Sequence, residues 1–192
     1  MSDESGFYGV NLTILVAIAA LLGFWIVGAY NRLVRLRSAI HSAFGALDAQ
    51  IRQRHELLVR WLAEARELFD DSPQQIDAVA TVADNLQRAC DETRKRPSST
   101  PAVTAQREAE QALAAARGRL LAELPAHMNR PSLNTDSAEL MSLGDQILAV
   151  ESTLSFARQQ FNASVDEYNK ALTEFPTTLI CGLFGFQPAS NL

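Results

Sequence analysis

Three histidines and two cysteines are the side chains best suited to ligate a metal or to act as base or nucleophile. A di-metal carboxylate centre in a helical bundle needs inward-facing Glu-x-x-His pairs on two helices. No glutamate stands three residues before His41, His55 or His127. His127 falls in the Pro-containing stretch Pro125 to Thr135, so all three histidines are expected as surface or capping residues rather than ligands. The phosphate-cradling P-loop, the dinucleotide glycine motif, the Gly-x-Ser-x-Gly elbow and the Cys-x-x-Cys pair do not occur. Serines and aspartates form no recognisable nucleophile-and-base motif. No nucleophile, base and stabiliser come together, so the sequence predicts no catalytic residue, no cofactor and no metal.

Cys90 falls on an apolar helical stripe and Cys181 in an apolar tail. Both suit small core fillers in a reducing compartment better than a disulfide, with S-acylation of Cys181 as the alternative near a membrane. The net charge of −5 argues against a nucleic-acid partner, because phosphate neutralisation needs a basic face. What remains is hydrogen-bonding chemistry on one helix. Glu151, Arg158, Asn162, Asp166 and Asn169 lie beside the apolar seam of the last long segment. Such residues either fix helix register or form a recognition face, and both readings stay open.

The elements that would position these groups are helical throughout. With 192 residues, 47% of them hydrophobic, the chain can build one bundle domain and one short extra segment. Ser5 to Asn31 carries no charge, and Val10 to Ala29 reads as a transmembrane helix, since ~20 apolar residues cross a ~30 Å hydrocarbon core. Asn11 and Thr13 near its outer end, and Phe7, Tyr8, Trp25 and Tyr30 at its flanks, suit the headgroup regions. A cleaved signal peptide fits less well, because the start is acidic at Asp3 and Glu4 and the apolar run is span-length. Arg32, Arg35 and Arg37 follow the span while no Lys or Arg precedes it, which places the bulk of the chain in the cytoplasm.

Beyond the span, Leu33, Leu36, Ile40, Phe44, Leu47, Ile51, Leu58, Trp61, Ala65 and Leu68 recur at the three-then-four spacing of one long helix, Tyr30 to Phe69. Arg54 interrupts that stripe, so its turn is either exposed or paired with an acid. Ser72, Pro73 and Gln75 start a shorter helix with Ile76, Val79, Ala83, Leu86 and Cys90 inward, ending near Lys95. The loop Arg96 to Pro101 breaks it, and an Ala-rich helix follows from about Thr104 to Leu124 with Leu113, Leu120, Leu121 and Leu124 on its apolar side. Asp136 and Glu139 start the last helix, and Pro176 ends it. Its seam reads Leu140, Leu143, Ile147, Val150, Leu154, Ala157, Phe161, Ser164, Tyr168, Ala171 and Phe175.

The predicted fold is therefore all-α. A transmembrane helix continues into an antiparallel up-down four-helix bundle with two long helices and two short ones that thicken the distal half. The boundaries are a short extracytoplasmic N-terminus (1–9), the span (10–29), a cytoplasmic bundle (30–175) and an apolar tail (176–192). Because the last helix returns to the membrane, Leu179, Ile180, Leu183, Phe184 and Phe186 are expected at the bilayer interface or on the base of the bundle. With Arg32, Arg35 and Arg37 they form one basal region.

Two stretches carry a family resemblance. Tyr30-Asn31-x-Leu33-Val34-x-Leu36-Arg37 after a lone N-terminal span, continued by Leu47-Asp48-x-Gln50-Ile51-x-x-Arg54, resembles the opening of LemA family proteins. Ala157-Arg158-x-x-Phe161-Asn162-x-x-Val165-x-x-Tyr168-Asn169, then Phe175-Pro176 and Gly182-Leu183-Phe184-Gly185-Phe186, is similar to the family's C-terminal signature. The chain departs from the pattern at Glu56-Leu57-Leu58-Val59-Arg60-Trp61, which lacks the family's usual Pro and Asn. The resemblance implies a bacterial inner-membrane protein with a single span, an N-terminus outside and a cytoplasmic helical bundle. It also makes Tyr30, Asn31, Asp48, Arg158, Phe161, Asn162, Tyr168 and Asn169 the residues to follow as seam or recognition positions.

Two functions fit. One is a membrane-anchored scaffold that self-associates, with the lipid bilayer and further copies of the chain as partners. The other is a tethered adaptor that recruits a soluble cytoplasmic protein through the loops Arg96 to Pro101 and Pro125 to Thr135, both expected at the distal end.

Overall fold

The computed structural model describes residues 4–70, 73–128, 137–175 and 177–192, with side chains described within 13–70, 73–127, 138–175 and 177–192. The expected cap and stop residues Ser72, Asp136 and Pro176, the stretch 129–135, and the side chains of Phe7, Tyr8 and Asn11 lie outside them. The described residues form five helices: α1 (Glu4–Ala65), α2 (Pro73–Lys95), α3 (Thr100–Met128), α4 (Ser137–Thr173) and α5 (Thr177–Phe184).

α1 is one uninterrupted helix of 62 residues, ~93 Å long at ~1.5 Å per residue. Its first half is long and apolar enough to cross a membrane, and none of its most apolar window is buried in the fold. The second half buries every residue of the expected stripe, from Leu33 to Ala65. The helix ends at Ala65 rather than Phe69. There the backbone tightens into turns, with Leu68 and Phe69 N–H groups both bonded to the Ala65 carbonyl. Leu68 and Phe69 remain buried.

α1 packs along α4, α2 packs on α3, and α2 leans on α1. Each packed pair runs antiparallel. Arg32 meets Glu174 while Arg60 meets Glu139, Asp48 meets Arg94 while Arg66 meets Asp77, and Thr93 meets Ala102 while Gln75 meets Glu123. Among the described residues no α3 Cα comes within 8 Å of an α4 Cα, so these two helices do not pack directly on each other.

Three sequence expectations change. α3 starts at Thr100, because Pro101 sits in the first turn where its missing N–H has no helical partner. It also runs through Pro125 to Met128. The carbonyl that Pro125 leaves unbonded belongs to half-exposed Leu121, where water can serve it. His127, expected in a surface loop, is buried in this last turn and stacks on Phe69 at 4.0 Å. Its Nδ1 lies 3.0 Å from the Leu68 carbonyl, which can only accept, so Nδ1 donates and pins the turns that follow α1.

The second change concerns the loop Arg96 to Pro101, which is not distal. α2 and α3 are long enough to bring it down to Arg37, whose Nε donates to Ser98 Oγ at 3.3 Å. The third lies on α4, where the seam passes through Val165 and not Ser164. Ser164 is turned outward and its hydroxyl bonds the Gln160 carbonyl. Phe175, read as the last seam residue, is 83% exposed because α4 has already ended at Thr173.

Candidate functional site

Three groups of residues are candidates: a basal apolar face, a clamp that holds the last residues of the chain, and a polar cleft above it. At the base, α5 is a two-faced helix beside the span. Ile180 is buried and Phe186 packs on the core, while Leu183 is 79% exposed and Leu179 and Phe184 are also exposed. The expected interface set therefore divides by face. Trp25 lies 6.2 Å from Phe175, and Tyr30 sits between Phe184 at 5.1 Å and Phe186 at 5.8 Å. Tyr30 thus joins the span to α5 rather than belonging to a seam. Arg32 pairs with Glu174 at 2.8 Å, whereas Arg35 and Asn31 are exposed. A polarity-sensitive fluorophore on Leu183→Cys, in a Cys181→Ser background in proteoliposomes, is expected to emit blue-shifted light. Water-like emission, equal to that of label on exposed Ser155→Cys, would take α5 off the bilayer.

The chain turns back after α5 in a glycine cap. Gly185 adopts φ +69°, and the Phe186 N–H bonds the Cys181 carbonyl at 3.2 Å, the Schellman pattern that β-carbon-bearing residues resist. Residues 186–192 then run up between α3 and α4 as an extended strap. Asn169 donates to the Ala189 carbonyl at 2.8 Å and accepts from the Ala189 N–H at 2.9 Å. Asn162 does the same to Leu192, both at 2.9 Å. The spacing explains the match. Seven helical residues rise ~10.5 Å and three extended residues span ~10 Å, so amides a heptad apart meet every third strap residue.

α3 supplies the opposite rail. Thr100 bonds the Pro188 carbonyl at 3.2 Å and Arg107 bonds the Asn191 carbonyl at 3.3 Å, again seven and three residues apart. Tyr168 donates its hydroxyl to the Gln187 carbonyl at 2.9 Å, and burial raises its pKa, which keeps the donor protonated. Asp166 accepts from Asn191. Of the expected recognition residues, Asn162, Tyr168 and Asn169 are thus engaged with the chain's own strap. Phe161 is core, edge-on to Phe44 at 5.9 Å.

Above the strap, charged residues occupy inward positions. Asp48 is buried and receives a two-pronged bond from Arg94, Nε to Oδ2 at 2.9 Å and Nη2 to Oδ1 at 2.7 Å, with Arg52 as a second partner at 2.8 Å. The hydrogen bond to Asp48 raises the Arg94 pKa despite some desolvation. Arg54 is only 3% exposed and pairs with Glu110 at 2.7 Å and Glu151 at 3.6 Å, and Arg117 joins Glu151 at 2.6 Å. Desolvation opposes the Arg54 charge, yet the Glu110 bond and both carboxylates outweigh it, and its pKa is raised. The partners Arg94, Glu110 and Arg117 were missed by sequence reasoning. Polar residues four and seven apart on one face of α3, Gln106, Glu110 and Arg117, were the available signal.

Cys90 lies behind this cluster. Burial first, then the Glu110 and Asp48 charges, push its thiol from 9.0 up to about 12. Because the thiolate is the reactive form, roughly a thousandfold less of it exists at pH 7 than in an open thiol of ordinary pKa. A water-soluble disulfide reagent is expected to leave Cys90 unmodified in the folded protein and to modify it in guanidinium. Equal reaction rates in both states would contradict that burial. Among the described residues no three His, Cys, Asp or Glu side chains gather within reach of one metal ion.

No curated protein matches the chain. The family comparison matches residues 43–192, from just before Phe44 on α1 through α4, α5 and the clamped strap. That range contains Asp48, Arg158, Phe161, Asn162, Tyr168 and Asn169, and leaves the span and Tyr30 to Arg37 before it. The matched model covers most of the chain, and by it the chain belongs to the LemA family.

Proposed function

We propose that this LemA family protein is a membrane-anchored helical scaffold that self-associates at a bacterial inner membrane, rather than an enzyme. In this reading α1 crosses the bilayer once with its N-terminus outside, and α1 to α4 stand in the cytoplasm as an up-down bundle. The three arginines after the span favour that orientation.

The observation that carries self-association is an unpartnered apolar stripe. Met141, Leu148 and Phe156 are 60%, 66% and 61% exposed at seven- and eight-residue spacing along α4. α4 runs antiparallel to α1, which continues from the span, so the stripe stands upright on the membrane. Copies tethered in one bilayer share that orientation and a raised effective concentration, and like stripes can pair side by side. The adaptor reading has lost a principal support. The Arg96 to Pro101 loop is held at the base by Arg37 and the strap rather than offered at the distal end.

Amine-independent cross-linking in native membranes is expected to yield dimers and larger species of the full-length protein, and Leu148→Glu with Phe156→Glu to reduce them to monomer. Monomers alone from the unaltered protein would remove the scaffold reading.

A further inference from the structure

The base of the bundle gathers positive charge from two separate parts of the chain. No acidic residue occurs between Glu4 and Asp48, and α1 carries Arg32, Arg35 and Arg37 in that stretch. None occurs between Glu92 and Glu108 either, a stretch that contains Arg94, Lys95 and Arg96. Folding brings the two together, because the α2–α3 loop descends to Arg37 through Ser98. Arg32, Arg94 and Lys95 have carboxylate partners, while Arg35, Arg37 and Arg96 make no ion pair among the described residues. Positive charge is thus sorted to the membrane end of a chain whose formal charge is −5. Water solvates these exposed guanidinium groups, and none of them requires a ligand. What singles them out is the surface on which they stand.

A groove runs up the base between α1, the α2–α3 loop and the turn after α5, and its lining changes character with height. Tyr30, Val34, Arg37 and His41 share one face of α1 at four-three-four spacing. Tyr30 and half-exposed Val34, with Phe184 of α5 beside them, make the membrane-side part apolar and aromatic. Above it, Arg37 also lines a cavity of about 520 Å³ together with Arg96, Ser98, Ser99 and Thr100. Among the described residues no acid lines either part. Arg37 stands ~12 Å along the helix from Ala29, the last residue of the expected span. Helical side chains slant toward the helix N-terminus, which here is the membrane side, so its guanidinium leans down toward the headgroup layer. Apolar below and basic above is the order in which a phospholipid is met from the bilayer core outward.

We propose that this groove holds the headgroup of an anionic phospholipid, with Arg37 and Arg96 on its phosphate, the Ser98 and Ser99 hydroxyls as further donors, and its acyl chains starting against Val34 and Phe184. Arginine suits phosphate because its planar fork donates two bonds at once. Each basic side chain close to an anionic leaflet strengthens attachment about fivefold. The ligand is a lipid rather than free phosphate, because only a lipid uses the apolar lower part of the groove. Such a lipid ties the α2–α3 loop to the bilayer beside the span and α5, which fixes how the bundle stands. The inference rests on the reading that α1 spans the bilayer and not on self-association.

The test is native mass spectrometry of the full-length protein released from detergent micelles that hold equal amounts of phosphatidylglycerol and phosphatidylcholine, with glycerol 3-phosphate in a separate arm. Phosphatidylglycerol is expected to be retained about tenfold or more over phosphatidylcholine, and Arg37→Gln with Arg96→Gln to weaken that retention about tenfold or more. Both residues are exposed, so the fold should survive, as circular dichroism would verify. Arg35→Gln with Lys95→Gln removes the same charge from the base but none from the groove, and should weaken retention far less. Equal retention of the two lipids, equal loss from the two pairs of substitutions, or glycerol 3-phosphate held as well as the lipid overturns the proposal. The full-length chain should also stay with carbonate-washed membranes. Its release would remove the span and the groove with it, whereas its retention without lipid selectivity would remove the groove alone.

Discussion

Arg54→Ala is expected to destabilise the helical domain by about 3 kcal/mol, the low end of what breaking a buried ion pair costs. The loss is not chiefly that of one attraction. Glu110 keeps its carboxylate in a site where its side chain is 15% exposed and loses its 2.7 Å partner. Glu151 suffers less, because it is more exposed and retains Arg117 at 2.6 Å. That asymmetry places the effect near the bottom of the range. The companion substitution separates charge from packing. Arg54→Met with Glu110→Leu removes both charges and leaves apolar volume, so it should recover most of the loss, as apolar replacements of buried pairs do. Chemical denaturation followed by circular dichroism at 222 nm would measure both variants. Arg54→Ala alone with unchanged stability would mean that water reaches Glu110 freely and the pair is a surface feature.

The second large effect is local. Asn162→Ala with Asn169→Ala removes four hydrogen bonds between α4 and the strap. Each contributes about 0.5–1.5 kcal/mol net, so opening of residues 186–192 should become easier by ~2 kcal/mol or more. That corresponds to ~30-fold faster proteolysis of the strap where cleavage follows the open population. Global melting should move far less, because the core residues of α1 and α4 are untouched. Asn→Asp at the same positions is the sharper probe. It keeps the acceptor for the Ala189 and Leu192 N–H groups but sets a carboxylate oxygen against their carbonyls, so it should release the strap at least as well as Ala. A strap that stays protected in both variants would show that Ala189 burial and the α3 rail hold it unaided.

Much of the fold was legible because helices advertise their buried face. Every apolar position expected inward on α1 and α2 is buried, and Pro73 opens α2 as its chemistry demands. The failures have local causes. Ser164 and Val165 are neighbours at the edge of one stripe, and a strict 3.5-residue count chose the first where a helix turning every 3.6 residues buries the second. Pro125 looked like a stop because the sequence does not show that Leu121 is exposed or that His127 has Phe69 and Leu68 to dock on. The level of the Arg96 to Pro101 loop was misjudged although the 23 residues of α2 suffice to return it to the base.

The candidate site was legible by residue but not by role. Asn162, Tyr168 and Asn169 stood out beside the seam, yet whether they served register or recognition depended on what lay opposite. What lay opposite is the chain's own strap, folded back through Gly185 from a helix, α5, within the segment expected only as an apolar tail.

Sequence alone determined the local properties of this protein: an apolar segment of membrane-spanning length and helices with one buried stripe each. These follow from periodicity and composition, which act within a few turns of the same helix. Only the tertiary structure decided what the polar inward residues do. Arg54 could equally have faced water or an acid, and its pairing with Glu110 and Glu151 depends on helices 56 and 97 residues further along the chain. The strap between α3 and α4 is decided in the same way, by amides a heptad apart meeting a backbone whose position no local pattern specifies.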